Sequence, residues 1–166
     1  EPDTRHPDDH RHPVNVSELV FQILETAKDR DVIPFGSAFP SPVLFPFKQL
    51  ASAFAGAIRR LDPWKTVEDL APGNRDLRRW LSRRYLDSGC TVGVDEIVIT
   101  AGALEALNLC LQTVTRPGDV VAIESPAFYA ALQAIENLGL QAVEIPTHPR
   151  EGVDVDALAR ALERHP

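Results

Sequence analysis

The order of apolar and polar residues divides the chain into a helical first half and an alternating strand–helix second half. From Asn15 onward, apolar residues recur at helical spacing, and Asn15 with Glu18 resembles a capping box, so we predict that a helix begins there. Its apolar stripe comprises Val16, Leu19, Val20, Ile23, Leu24 and Ala27. The proline-rich residues 33–47 cannot form a regular helix, and we expect an extended, turning segment.

Two further helices are predicted before residue 90. Pro46 suits the first turn of one helix, whose apolar face we expect to point inward. That face comprises Leu50, Phe54, Ala57, Ile58 and Leu61. After a loop over residues 62–74, Asn74 is the predicted N-cap of a helix that stops near Gly89. Leu77, Leu81 and Tyr85 line one face of this second helix.

The second half of the chain alternates short β-branched runs with helical patterns. Strands are predicted at 96–100, 120–124 and 141–146, and helices at about 103–114, 127–138 and 155–164. Single helices between strands indicate βαβ units, and therefore an α/β fold with a parallel sheet and right-handed crossovers. Three strands leave both sheet edges open, so we expect residues 14–166 to be part of a larger domain.

The first 13 residues differ in composition from the remainder of the chain. They are rich in proline, histidine and charge and have no apolar period, which predicts a linker or disordered tail over residues 1–13. His6, His10 and His12 could suggest a metal site, but they lack a folded frame, and we expect no bound metal.

Composition narrows the class of protein further. With 166 residues, of which 44% are hydrophobic, the chain has enough apolar material for a folded core. A net charge of −7 argues against a broad surface for nucleic-acid phosphates. Cys90 and Cys110 do not form a disulfide framework, which favours a reducing, cytoplasmic location. No apolar run approaches the ~20 residues that span a bilayer, so we expect no membrane association.

Residues 99–107, ITAGALEAL, pass from a predicted strand to a predicted helix through very small side chains. Ligands of parallel sheets bind beyond the carboxyl ends of the strands, where a helix N-terminus favours an anion such as phosphate. Ala101, Gly102 and Ala103 would let a phosphate approach the backbone closely. The alternative is that these residues serve only tight packing, because one glycine is not a dinucleotide fingerprint and no Walker pattern occurs.

The next strand exit carries two aromatic residues within ESPAFYAAL, residues 124–132. Phe128 and Tyr129 follow Pro126 near the same sheet edge, where a ring can stack on a planar heterocycle. Adjacent helical residues point about 100° apart, so at most one of the two rings faces a ligand. The alternative is that both are ordinary core aromatics.

Three stretches of the chain, taken in order, resemble a known family. They are PFGSAFPSPVLFP at 34–46, LAPGNRDLRRWLSRRYLDSG at 70–89, and residues 95–146 from DEIVITAGALEAL to QAVEIP. Together they resemble aminotransferases of the pyridoxal-phosphate-dependent transferase fold type I. More closely, they resemble the aminotransferase-like domain of MocR-type regulators in the GntR superfamily. The implied fold is a partial fold type I: N-terminal helices, then a parallel β/α/β/α/β/α half of the large domain.

The resemblance implies a cofactor site. The backbone of Gly102, Ala103 and Leu104 would hold the phosphate of pyridoxal 5'-phosphate, and Phe128 would stack on its ring. Residues 35–40 would lie near the substrate carboxylate. Relatives are homodimers with active sites at the subunit interface, and Glu68 stands where they usually have a tyrosine.

The resemblance also implies a reactive lysine that forms a Schiff base late in the large domain. The lysines present are Lys28, Lys48 and Lys65, which precede the predicted sheet and match no such motif. We therefore expect the chain to be a truncated part of a longer protein, without catalytic residues and inactive by itself.

Three functions follow from these patterns. The first is the effector domain of a transcriptional regulator, which senses pyridoxal phosphate or an amino compound and contacts DNA only through an absent upstream domain. The second is part of a genuine class I/II aminotransferase that acts on an amino acid and a 2-oxo acid. The third is a doubly wound domain without cofactor, whose small residues merely pack.

Overall fold

The computed structural model describes most of the chain. The described residues are 7, 8, 10–26, 28, 29, 31–33, 35, 39–68 and 70–165. They fall into two compact units, one formed by residues 1–37 with 103–166 and the other by residues 38–102.

The described residues form seven helices and four strands. In chain order they are β1 (His12–Pro13), α1 (Ser17–Thr26), α2 (Phe47–Arg60), α3 (Lys65–Glu68), α4 (Arg75–Asp87), α5 (Ala103–Val114), β2 (Val120–Ser125), α6 (Tyr129–Asn137), β3 (Gln141–His148), β4 (Gly152–Val153) and α7 (Val155–Arg164). Single turns of 3-10 helix cover Pro42–Leu44 and Val94–Glu96. The predicted helices of the second half agree closely with α5, α6 and α7.

The sheet of the first unit is organised around β3. Strand β2 pairs with it in parallel, from Val120 opposite Gln141 to Ser125 opposite Pro146, as the βαβ pattern predicts. The two short strands β1 and β4 pair with β3 in antiparallel orientation, so the sheet is mixed rather than wholly parallel. Strand β1 uses His12 and Pro13, the last two residues of the predicted linker.

Both faces of β3 are covered by helices. Val143 and Ile145 pack with Ala157 and Ala161 of α7 on one face. Ala142 points to the other face, where Ile135 of α6 is only 1% exposed. Burial on both faces explains why these strands lack an alternating apolar–polar pattern.

The predicted strand at 96–100 is wrong. Val94–Glu96 forms a 3-10 turn, and residues 97–100 are assigned neither to a helix nor to a strand. The Ile99 amide donates to the Pro72 carbonyl, a loop acceptor, at 2.9 Å. A β-branched run becomes a strand only beside another strand, and the described residues supply none here.

The second unit leaves its apolar faces uncovered among the described residues. Helix α2 buries no residue, so the predicted inward face is wrong: Leu50, Phe54 and Ile58 are each more than half exposed. The predicted loop over 62–74 contains the four-residue helix α3. Helix α4 agrees with its prediction, because Asn74 Oδ1 accepts from the Leu77 amide at 2.9 Å and a left-handed glycine follows its end.

Helix α1 begins two residues later than predicted, and its cap comes from elsewhere. The amides of Val16 and Ser17 donate to Glu136 Oε2 of α6, at 2.9 and 3.0 Å. The Ser17 hydroxyl donates to the same oxygen at 2.9 Å. A carboxylate 119 residues away in sequence therefore replaces the predicted Asn15–Glu18 capping box.

Two further observations concern the described residues alone. Cys90 and Cys110 are free, exposed thiols. No helix in this part of the chain has the length and apolarity that a membrane-spanning segment requires.

Candidate functional site

Helix α5 starts directly after the glycine that the sequence singles out. Ala103 and Leu104 are its first two residues, so their amides have no carbonyl partner one turn earlier in the helix. Ala101, Gly102 and Ala103 are exposed, and Leu104 is 50% exposed. The N-terminus of α5 is therefore exposed, and it carries the positive end of the helix dipole.

Gly102 has a backbone conformation that suits glycine. Its φ is +116°, and a Cβ built there would meet no heavy atom within 4 Å. The Thr100 hydroxyl donates to the Gly102 carbonyl at 3.0 Å and fixes the orientation of this turn. Since nothing fills the space beside Gly102, packing alone does not explain the small residue.

Phe128 lies at the start of α6, just beyond the end of β2. It occupies the N-cap position without a side-chain cap and is 52% exposed, whereas Tyr129 is half-buried. The centroids of the two rings lie 4.6 Å apart, so Tyr129 supports Phe128 from one side. Phe128 is therefore the more exposed of the two residues, and its contact with a ligand stays a prediction.

Strand β2 ends at Ser125, whose side chain makes a buried polar contact. Ser125 is 1% exposed, and its hydroxyl donates to Glu144 Oε2 of β3 at 2.6 Å. This cross-strand bond fixes the end of β2 against β3. The chain continues from the end of β2 to Phe128.

The first turns of α5 and α6 lie beside a shared cleft. The cleft has a volume of about 290 Å³ and is lined by Leu104 and Asn108 of α5, Ala130 and Gln133 of α6, and Ser17 of α1, among others. Leu104 and the first turn of α6 are therefore neighbours within one unit.

Glu136 binds the start of α1, the third helix that lines this cleft. The hydrogen bond from the Val16 amide, followed by that from the Ser17 hydroxyl, lowers the pKa of Glu136 from its ordinary value. The charged form of the carboxylate therefore holds α1 beside α5 and α6.

The three lysines of the chain lie away from the N-terminus of α5 in sequence. Lys28 pairs with Glu25 at 2.6 Å, while Lys48 and Lys65 lie in α2 and α3. Within the described part of the chain, no three His, Cys, Asp or Glu side chains gather as a metal site would need. Half of the predicted substrate segment at 35–40, namely residues 36–38, lies outside the described residues.

Sequence reasoning missed two polar side chains, Arg78 and Glu136. Arg78 had a detectable signal, because it stands three and seven residues before Leu81 and Tyr85 and so lies on the apolar stripe of α4. Glu136 had none, since its partners lie far away in sequence.

Comparison with known families decides between the fold classes. The family model for aminotransferases of class I and II matches residues 71–166, more than half of the chain. The chain belongs to the class I and II aminotransferase family. The predicted fold class, part of the pyridoxal-phosphate-dependent transferase fold type I, is thereby confirmed.

Two curated relatives of this aminotransferase-family chain are regulators. The uncharacterized HTH-type transcriptional regulator YdcR of Escherichia coli K12 is 48% identical over 153 residues, covering 92% of this chain and 33% of the relative. The uncharacterized HTH-type transcriptional regulator YjiR of the same organism is 34% identical, covering 94% and 34%. The chain thus spans about a third of the length of these relatives. The predicted resemblance to regulators is confirmed.

A solved structure gives the same fold. Kynurenine aminotransferase from Pyrococcus horikoshii, in complex with PMP, is 28% identical with a TM-score of 0.66, covering 90% of this chain and 37% of that chain. The aminotransferase family therefore contains both regulators and enzymes among the proteins similar to this chain.

Proposed function

We propose that this chain is the pyridoxal-phosphate-binding part of an aminotransferase-like effector domain in a transcriptional regulator. The observation that carries the proposal is Gly102, whose left-handed backbone and open surroundings lie directly before the N-terminus of α5. An anion there contacts amides and the helix dipole together. The similarity to YdcR and YjiR supports the regulatory role.

The residues present fit the cofactor. The backbone of Gly102, Ala103 and Leu104 would receive the phosphate, and the half-exposed ring of Phe128 would stack on the pyridine ring. When bound, pyridoxal phosphate supplies an electron-withdrawing ring that stabilises negative charge on an attached amino compound. The residues of this chain contribute binding and orientation to that chemistry, and no lysine among them matches the motif of the family.

The proposal extends to partners and location. The full-length protein would be a cytoplasmic homodimer that responds to pyridoxal phosphate or a small amino compound. It would contact DNA through a part outside this chain, which agrees with the net charge of −7 found here. Retardation of promoter DNA by the full-length protein, and a change in that retardation on adding pyridoxal phosphate, tests this role.

Cofactor binding is tested by titrating the full-length protein with pyridoxal phosphate. Free pyridoxal phosphate is achiral, so a visible circular dichroism band that saturates on titration reports the bound form. We expect Gly102→Ala to weaken binding by roughly tenfold, because the added methyl group stands between the phosphate and the backbone.

Gly118 provides the matched control for this titration. It also has a positive φ, +95°, and open space around a built Cβ, but it lies in the turn before β2. Gly118→Ala should therefore carry a similar backbone strain without changing cofactor affinity. Equal affinity in the two variants would contradict the assignment of Gly102.

A second candidate function is a genuine aminotransferase, acting on an amino acid and a 2-oxo acid. The similarity to the Pyrococcus horikoshii enzyme favours it. Amino transfer to 2-oxoglutarate by the full-length protein, with no retardation of promoter DNA, would select this alternative.

A further inference from the structure

Arg78 is a buried charged residue without a role in the proposed cofactor site as described above. It lies in α4, and only 7% of its surface is exposed. Its guanidinium donates from Nε to the Gly73 carbonyl at 3.0 Å and from Nη1 to the Val94 carbonyl at 2.9 Å. Asp95 Oδ1 lies 3.4 Å from Nη1, but the side chain of Asp95 is 99% exposed. A buried charge is unfavourable unless it is hydrogen-bonded, so the two bonds to loop carbonyls are needed to stabilise Arg78. The same bonds hold the two loops in place.

The two loops flank the segment that leads to Gly102. The Pro72 carbonyl, next to Gly73, accepts from the Ile99 amide at 2.9 Å. Gly73 also touches the Ile99 side chain so closely that a Cβ built on Gly73 would lie 2.6 Å from Ile99 Cβ. On the other side, Val94–Glu96 runs directly into Ile97, which is 9% exposed.

These contacts connect the guanidinium to the predicted phosphate contact. Arg78 holds Gly73, the loop at Gly73 holds Ile99, and Ile99 precedes the Thr100–Gly102 turn by one residue. Residues 97–100 have no strand partner among the described residues, so this clamp and the Ile99–Pro72 bond contribute to fixing their path.

We propose that Arg78 is a positioning residue for the cofactor phosphate: its guanidinium clamps both loops beside residues 97–100 and thereby fixes the backbone of Gly102. This role rests on the proposed cofactor function. A lysine cannot replace the arginine, because one ammonium cannot present the planar fork that reaches both carbonyls. Arg78 acts through the loops and does not itself touch the cofactor.

The test compares Arg78→Lys with Arg79→Lys in the full-length protein. Arg79 is the adjacent residue of α4, half-exposed, and bound only weakly to Asp76 at 3.4 Å. We expect Arg78→Lys to lower the affinity for pyridoxal phosphate by roughly tenfold and to move the ³¹P resonance of its phosphate, with Arg79→Lys unchanged in both. Measurement well below the melting temperature of each variant separates this effect from loss of stability.

Hydrogen exchange reads the clamp without cofactor. Faster exchange of the Ile99 amide in apo Arg78→Lys is expected, because the loop carrying the Pro72 carbonyl loosens. Wild-type affinity and an unmoved ³¹P resonance in a folded Arg78→Lys variant would overturn the positioning role while leaving the proposed function intact. A wild-type protein that binds no pyridoxal phosphate would overturn the proposed function and this role together.

Ile99→Ala tests the same link if Arg78→Lys does not fold. The substitution removes Ile99 Cγ1, one of the side-chain atoms nearest Gly73, and removes no polar group. We expect a smaller loss of affinity, about threefold, with the ³¹P resonance moved in the same direction. Unchanged affinity and resonance would show that the path through Gly73 does not position the phosphate.

Discussion

The strand β3 and the helix α2 both contain several apolar residues, yet these side chains are buried in one and exposed in the other. Val143 and Ile145 in β3 are each 3% exposed, because α7 covers them. Phe54 and Ile58 in α2 are 69% and 54% exposed, and no described residue covers them. An amphipathic period thus fixes which face of an element is apolar, but it does not supply the partner that buries this face.

The two units also differ in what holds them together. The unit containing β3 has two apolar clusters, one on each face of the strand. In residues 38–102, the described buried residues are Ile97 and Arg78. The hydrogen bonds of Arg78 therefore contribute much of the packing of this unit. Hydrophobic burial tolerates small shifts, whereas hydrogen bonds of a buried guanidinium require fixed geometry.

The largest effect is expected from truncating an equivalent side chain in each unit. Ile135→Ala removes a side chain that is 1% exposed and should lower the free energy of unfolding by about 2–5 kcal/mol. Ile58→Ala, at a side chain that is 54% exposed, should change it by no more than about 0.5 kcal/mol. Urea unfolding followed by circular dichroism measures both. Equal losses would show that α2 is covered after all.

Removal of the N-cap side chain of α4 or of α7 should destabilise the protein by the same amount, because each of these two caps acts within its own turn. Asn74 accepts from the Leu77 amide at 2.9 Å and Asp154 from the Ala157 amide at 2.8 Å. Each alanine substitution should lower the free energy of unfolding by about 1 kcal/mol, as measured by the urea midpoint. A much larger loss at Asn74 would mean that this cap also maintains the neighbouring Arg78 clamp.

The effect of Glu136→Gln on stability should depend on acidity. Hydrogen bonds from Val16 and Ser17 lower the pKa of Glu136 in the folded state. Its stabilising contribution is therefore present above the unfolded pKa and is lost as pH falls through the lower folded pKa.

The stability of the wild type and the variant should converge on acidification below pH 4.5, the ordinary pKa of the group. Thermal melts between neutral and acid pH measure this convergence. Glu163→Gln, at an exposed position of α7, serves as the control for the change of charge. A gap between wild type and Glu136→Gln that stays constant with pH would contradict the capping role.

Local information was sufficient for the elements around β3. Helix α5 has the predicted bounds because its apolar spacing and the preceding glycine both act within a few residues. The Asn74 cap and the Gly89 stop of α4 were predicted for the same reason. The small residues at 101–103 are exposed, and their contact with a phosphate stays a prediction.

Features that depend on distant residues were not predictable. The run at 96–100 has the composition of a strand, but strand formation needs a neighbour that sequence composition does not reveal. The cap of α1 comes from Glu136, far along the chain. The Arg78 clamp depends on two loop carbonyls, which no side-chain pattern encodes. The cofactor contacts at Gly102 and Phe128 stay predictions that binding measurements must test.

The antiparallel pairing of β1 has a directional consequence. His12 lies opposite Ala142 and Pro13 opposite Gln141, so the chain traced backwards from His12 runs the way β3 advances. From Arg11 and His10 the chain is therefore directed along β3 toward the edge where β2 ends, the edge from which it continues to Phe128.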